Sequence, residues 1–413
     1  MTDAVPTAIV GARVFDGFAA QDGLTVELAG GRIVAVHSGG PAAGGGTTVP
    51  AGGCTLMPGF IDAHVHTSVE GLREALMFGV TTELEMQGHW TAQQRAAIRD
   101  RHDLADLRSA GFGITRRGGH PSHWFPEHRY PGVGDLAVNG EEYLPPFVDT
   151  VRDAERMVGH LARTGSDYVK IMIEDGAVLG TPGLPVLPPD VARAAVQAAH
   201  ALGLIVVAHA LTVRAATTAV EAGVDGLTHL FIDEPCPPEL AALIAARGVF
   251  VVPCLVLNAS ILGGSAAELA ADRRVADRLG KHALTLLHAA FDTFPQGDFV
   301  DVLHAVAQLH AAGVDLLAGT DASPRVGGVA HGASVHHELR LLGDAGLSPV
   351  QALRSATSTP ARRFSLLDRG RIAEGLRADL VLVAGDPTVN LDDTLNIRQV
   401  WRSGVAMTPE VHA

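Results

Sequence analysis

Cysteine is scarce in this chain of 413 residues: Cys54, Cys236 and Cys254 are three in number, widely spaced and without a CxxC pair. An odd, scattered set argues against a disulfide framework and fits buried thiols in a reducing compartment. Basic residues are outnumbered, 31 Lys and Arg against 45 Asp and Glu, which leaves a formal charge of −14. No nucleic acid and no membrane is therefore expected as a partner. A long apolar run is also missing. The greasiest stretch, residues 248–262, is too short to cross a bilayer and is broken by Pro253. The opening residues, Met1-Thr2-Asp3-Ala4-Val5-Pro6, lack the cationic segment and apolar core of a signal peptide. A cytoplasmic protein is the expectation. Aromatic residues make up 5% while glycine supplies 47 positions, and small side chains at that density suit helices packed tightly over a sheet.

What the chain does have is histidine, 20 residues in all, many beside apolar runs or glycine-rich turns. The stretch Pro58-Gly59-Phe60-Ile61-Asp62-Ala63-His64-Val65-His66 is central. Its apolar residues suit a strand buried on both faces, as in a parallel sheet. Side chains alternate along a strand, so His64 and His66 share a face. Two imidazoles placed so can grip one divalent cation, although a strand-end pair satisfied by backbone or water would read the same way.

Residues 7 to about 56 are short strand patterns separated by glycine breaks, and a matching β piece follows Asp379. Neither end can close a core alone, so both are expected to pair in a small β-sandwich domain, 1–57 with 372–413. Between them strand and helix patterns alternate, the mark of a parallel α/β sheet. Strands are read at 60–65, 79–84, 111–115, 168–173, 204–209, 225–229, 249–253 and 315–321. Eight such units imply a distorted (β/α)8 TIM barrel over 58–371, with chemistry at the C-terminal ends of its strands. The longest interruptions are 116–147, expected as a pocket wall, and 255–300, expected as a lid, a subunit contact of a homo-oligomer, or both.

Strand ends then carry His64, His66, Lys170, His209, His229 and Asp321. Lys170, inside Tyr168-Val169-Lys170-Ile171-Met172-Ile173, would face inward, where a bare ammonium is costly. It either pairs with Glu174 or Asp175, or loses its charge and becomes able to react with carbon dioxide. Asp321 before Ala322-Ser323-Pro324 could simply cap a helix, and single strand-end histidines are often just hydrogen-bonded. Five such coincidences at five strand ends weaken that plainer reading. Arg116, Arg117, His120, His123 and Tyr130 cluster as candidate contacts for a substrate carboxylate, although loop arginines are more often solvated.

Taken together, the HxH after Pro58-Gly59-Phe60-Ile61-Asp62, Val169-Lys170-Ile171-Met172, the single strand-end histidines, Ala318-Gly319-Thr320-Asp321 and Gly370-Arg371-Ile372-Ala373-Glu374-Gly375-Leu376-Arg377-Ala378-Asp379-Leu380 resemble the metal-dependent amidohydrolase superfamily. The closest likeness is to its imidazolonepropionase-like branch, which includes dinuclear peptidases and amidases. The resemblance implies that His64, His66 and Asp321 bind one cation and His209 and His229 a second. It also implies N6-carboxylation of Lys170, which with a hydroxide would bridge the pair. Zinc is the default metal for such ligands. Gly118-Gly119-His120 resembles a Gly-Gly-His element of this branch, making His120 a catalytic or substrate contact. One departure is Thr82-Glu83-Leu84-Glu85-Met86, where valine, arginine, aspartate and methionine are more usual.

The implied reaction is hydrolysis of an amide-type C–N bond in a small molecule (an N-acyl amino acid, a dipeptide or a related amide), with Asp321 as general base and then acid. A lactone, carbamate or urea hydrolase with the same centre is an alternative. A mononuclear deaminase fits less well, because Ala210-Leu211-Thr212 follows His209 in place of a His-x-x-Glu pattern. A non-catalytic scaffold would have lost ligands, and none is missing.

Overall fold

The computed structural model describes residues 6–41, 46–88, 90–124 and 144–407. Its two ends meet in one sheet. Strands β1 (Thr7–Phe15), β2 (Ala20–Ala29) and β3 (Arg32–Ser38) form an antiparallel meander, and β4 (Thr47–Pro50) and β5 (Cys54–Pro58) run parallel to β1. Further along the chain come β6 (Phe60–Val65), β7 (Val80–Glu85), β8 (Asp106–Ser109), β9 (Val169–Met172), β10 (Val206–His209), β11 (Gly226–Thr228) and β12 (Phe250–Val252). The last three strands, β13 (Leu380–Ala384), β14 (Ile397–Arg402) and β15 (Val405–Met407), return to the terminal sheet. They complete the order β15-β14-β13-β5-β1-β2-β3, with β4 on β1. Ile9, Val26, Ile33, Leu56, Leu380 and Trp401 share its core. The pairing of both termini is as expected, and the strands form one hydrogen-bonded sheet rather than two.

Between the ends lie two parallel sheets, β6-β7-β8 and β12-β11-β10-β9. Every residue of β6, β7, β9 and β10 is buried, which is why these strands read as unbroken apolar runs rather than alternations. Helices follow the strands and are capped by their own sequence. Thr212 accepts a hydrogen bond from Ala215 N ahead of the helix Val213–Ala222, and Gly223, at φ 96°, ends it in the left-handed conformation. Ser68 and Thr150 cap the helices Val69–Met77 and Val151–Arg163 in the same way.

The expected continuous eight-stranded ring is present only as pieces. Isolated parallel bridges join Ile114 to Ile171, Val251 to Leu316 and Val65 to Ala322. The third strand begins earlier than 111–115, at Asp106; Gly111 turns the chain at φ 69°, and beyond it Ile114 bridges to Ile171 and Thr115 to Phe147. Asp106 and Arg108 disguise that strand, because their polarity breaks the apolar run. The segment 315–321 forms no regular strand. It nevertheless hydrogen-bonds to both neighbours, Leu317 N to Val251 O at 2.9 Å and Asp321 N to His64 O at 2.8 Å.

The 255–300 segment is helical and anchored. Leu269, Val275 and Leu287 pack with Met77, Phe78 and Leu395, and Arg274 pairs with Asp392 at 2.9 Å. Among the described residues, no helix is long and apolar enough to cross a membrane.

A buried ionic cluster ties the parallel strands to the terminal sheet. Asp106 of β8 meets Arg369 at 2.5 Å, Arg377 at 3.2 Å and Arg402 at 3.4 Å, while Asp379 pairs with Arg377 at 2.9 Å. Removing Asp106 would leave Arg369, Arg377 and Arg402 with Asp368 and Asp379 as their remaining carboxylate partners. Breaking a buried pair typically costs roughly 3–5 kcal/mol. Asp106→Ala is expected to lose about that much in urea unfolding, and a loss under 1 kcal/mol would show the cluster to be solvated.

Candidate metal centre

His64 and His66 stand at the end of β6 as the alternation requires, with ring centroids 5.4 Å apart. Opposite them is Asp321. Its Oδ1 lies 2.8 Å from His66 Nε2 and 3.3 Å from His64 Nε2, and its Oδ2 lies 3.7 Å from His229 Nε2. Three imidazoles from two strands thus converge on one carboxylate. The backbone explains how. At Gly319 a Cβ would fall 2.4 Å from Val252 Cγ1 and 3.0 Å from His64 N, so only glycine lets this segment approach β6. Asp321 then adopts φ 54°. Beneath it, Asp62 accepts hydrogen bonds from Thr320 Oγ1 at 2.6 Å and Thr320 N at 3.0 Å, pinning the turn.

The charges are unequal. Burial pushes His64 down to about 3 and lowers His229 well below its usual value. For His66 burial opposes the charge, but Asp321 and Glu85 outweigh it and carry the imidazole to about 9. Burial likewise works against the Asp321 carboxylate, yet His64, His66 and His229 hold it well below the usual range.

Lys170, on β9, lines the same cavity, and burial lowers its ammonium to about 7. Its Nζ donates to the Thr228 hydroxyl, not to Glu174 or Asp175. Glu174 instead faces His209, Oε2 to Nε2 at 3.2 Å. His209 and Lys170 therefore share the cavity with the other four without joining their tightest cluster. Compact donor groups, with all ligand atoms within 4.8 Å of one another, are His64 with His66 and Asp321, and His64 with His229 and Cys254. These residues fit divalent cations. The donors are imidazoles and a carboxylate of the kind such ions take, and the buried Nδ1 atoms of His64 and His229 have no hydrogen-bond partner.

The cavity beside them encloses about 290 Å³. His120 lies against His209, ring centroids 4.6 Å apart, and against Trp124 at 4.7 Å. Burial, then His209 and His123, keep its imidazole well below its usual value. Trp124 meets Phe291 edge to face at 6.1 Å, and both line the cavity.

The expected carboxylate contacts fare differently. Arg116 pairs with Asp149 at 2.9 Å and Arg117 stacks on Phe147 at 4.8 Å, and neither lines the cavity. His123 sits behind His120 within 3.5 Å of the Thr181 hydroxyl, and Tyr130 falls outside the described residues. Arg325 lines the cavity instead.

Sequence reasoning did not place Cys254, Glu174 or Glu85 beside the histidines. The departure at 82–86 was the signal for the last of these. Glu85 accepts hydrogen bonds from Thr67 N and Gln87 N and faces His66 Nδ1 at 3.5 Å, while Glu83 pairs with His331 at 2.9 Å.

Imidazoles and a carboxylate gathered at the ends of parallel strands, beside a small and largely apolar cavity, define a metal-dependent hydrolase. Residues 55–407 match the Amidohydrolase family, and the chain belongs to it. An uncharacterized protein of Mycobacterium bovis is 26% identical over 356 residues, covering 84% of this chain and 83% of that one. The imidazolonepropionase of Streptomyces griseus is 31% identical over 180 residues, 40% of this chain and 45% of that protein. Among solved structures, a Xaa-Pro dipeptidase with methionine bound in its active site superposes with a TM-score of 0.76. It is 20% identical, over 97% of this chain and 99% of that one, and the likeness speaks to the fold.

Proposed function

We propose that this hydrolase cleaves an amide-type C–N bond in a small substrate carrying an apolar group, such as an N-acyl amino acid or a dipeptide. The observation that carries the reading is the convergence of His64, His66 and His229 on Asp321, with Lys170 buried in the same cavity. The family, and a solved dipeptidase among the proteins of like fold, support the choice of an amide. Part of the same proposal is that the isolated bridges complete a (β/α)8 barrel over 58–371, with 1–57 and 372–413 as the β domain.

Two divalent cations, zinc by default, would be held by His64, His66 and Asp321 and by His209 and His229, and would supply Lewis acidity and an activated water. The rest is work for the side chains. Asp321, ionised among the imidazoles, takes a proton from the attacking water and returns it to the leaving nitrogen. Glu174 orients His209, as carboxylates behind ligand histidines do. His120 contacts the substrate carbonyl. Leu211, Leu257, Ile261 and Phe291 exclude water around the bond to be broken. Lys170, whose amine is readily neutral in this setting, attacks carbon dioxide. Its N–C bond forms as one C=O π bond of the carbon dioxide opens, a proton leaves to solvent, and the resulting carbamate would carry the negative charge of a carboxylate-type ligand.

A panel of N-acyl amino acids, dipeptides, lactones and aminated heterocycles against metal-replete protein should show turnover on amides first. Turnover confined to deamination would replace the reading. Apo-protein reconstituted with zinc should take up two equivalents, and bicarbonate should hasten recovery. One equivalent at full activity, or indifference to bicarbonate, would remove Lys170 from the centre. Asp321→Asn should keep much of its metal but lose roughly 10²–10⁴ in kcat, whereas near-normal turnover would assign the base elsewhere.

A further inference from the structure

The proposed centre leaves one donor unused. Cys254 follows β12 with its residue fully buried, and its Sγ, His64 and His229 form one of the two compact ligand groups among the described residues. Donors of a tetrahedral zinc site, with bonds of about 2.0–2.3 Å, sit roughly 3.5 Å apart. A limit of 4.8 Å is therefore within reach of modest side-chain rotation. We infer that Cys254 is a sulfur ligand of this metal centre, beside His64 and His229, and that it biases the site toward borderline and soft cations such as zinc, cobalt and cadmium over manganese and magnesium.

The local backbone favours that role. Cys254 adopts φ 53°, a conformation L-residues rarely take. The turn is clamped from the far side, where Glu338 accepts hydrogen bonds from Leu255 N at 3.0 Å and Val256 N at 2.9 Å. Asn258 Nδ2 donates to Pro253 O at 3.1 Å and holds the preceding peptide. The thiol itself has only a long contact, 3.6 Å to Val252 O. His64 and His229 each bring a ring nitrogen within 4.8 Å of it, and the Nδ1 atoms of both are buried and unpartnered. Neither Cys54 nor Cys236 belongs to a ligand group of this kind. On binding, the S–H bond breaks, its proton goes to solvent and the sulfur–metal bond forms, with no change of oxidation state. Thiolate is a softer donor than the imidazole and carboxylate of the remaining set, so it shifts selectivity rather than creating the site.

The inference rests on the metal-centre reading above, and cobalt separates the two. Full-length protein loaded with Co(II) should show visible ligand-field bands, which report an occupied site, and a near-ultraviolet sulfur-to-cobalt charge-transfer band, which reports Cys254. In Cys254→Ser and Cys254→Ala the charge-transfer band should vanish while the ligand-field bands remain. The preference for cadmium over manganese, measured by competition, should fall by at least the roughly 10–100-fold that loss of a metal-orienting partner costs. Ligand-field bands without a charge-transfer band in the unmodified chain would overturn the sulfur ligand and leave the proposed function standing. A charge-transfer band that persists in both variants would come from another cysteine and overturn it equally. Failure to bind cobalt or zinc at all would sink the centre and this inference with it.

Discussion

Asp321 is the charge on which the site depends. A carboxylate this deeply buried is unfavourable by several kcal/mol unless positive partners stand beside it. At an effective dielectric of about 20, one opposite charge at 4 Å returns roughly 4 kcal/mol. In the chain by itself that partner is His66, the imidazole that Asp321 and Glu85 hold protonated to about 9. His64 and His229 flank the same carboxylate and help to hold it low, although burial lowers both imidazoles. Cations would take over the role of the His66 proton. They supply more charge at the same place, and they use the lone pairs that neutral imidazoles offer.

Holding Asp321 there requires backbone as much as charge. Gly319 brings the 315–322 segment against β6, and Thr320 is hooked onto Asp62 one layer down. Asp62 is itself pushed up to about 7, by burial first and then by Glu83. Three acidic side chains, Asp62, Glu83 and Glu85, therefore stand under or beside the histidine pair, each with a different task. Asp62 pins the turn, Glu83 holds His331, and Glu85 holds the Thr67 and Gln87 amides against His66. Their shared burial makes the layer beneath the metal site polar, so the site is supported by hydrogen bonds rather than by apolar packing alone.

Much of this was legible because parallel strands buried on both faces announce themselves as apolar runs, and a histidine at the end of such a run stands out. His64, His66, His229 and Asp321, which the structure brings together, stand at the ends of such runs. The pairing of the two termini was also readable, since neither β piece could bury its own face. What escaped detection has a physical pattern. The strand at 106–109 was hidden because its polar residues are neutralised by Arg369, Arg377 and Arg402, which lie more than 250 residues away in sequence. Arg116 was taken for a substrate contact because its partner Asp149 comes from beyond the long loop. Cys254 gave no sign, because a buried cysteine in an apolar run is the commonest kind, and only the converging neighbours distinguish it.

The same segment that begins with Cys254 also builds the substrate wall. Leu257 and Ile261 lie on the helix Leu255–Ile261, and Phe291 follows further along, closing on Trp124. The N-terminus of that helix is fixed by the Glu338 carboxyl, an arrangement that suits the positive end of a helix dipole. Burial pushes Glu338 up to about 8. The two amides oppose that shift, because they favour the charged carboxylate. Cys254 and the wall residues Leu257 and Ile261 are therefore carried by one short segment, so a change that tilts this helix would move the thiol and that part of the cavity lining together.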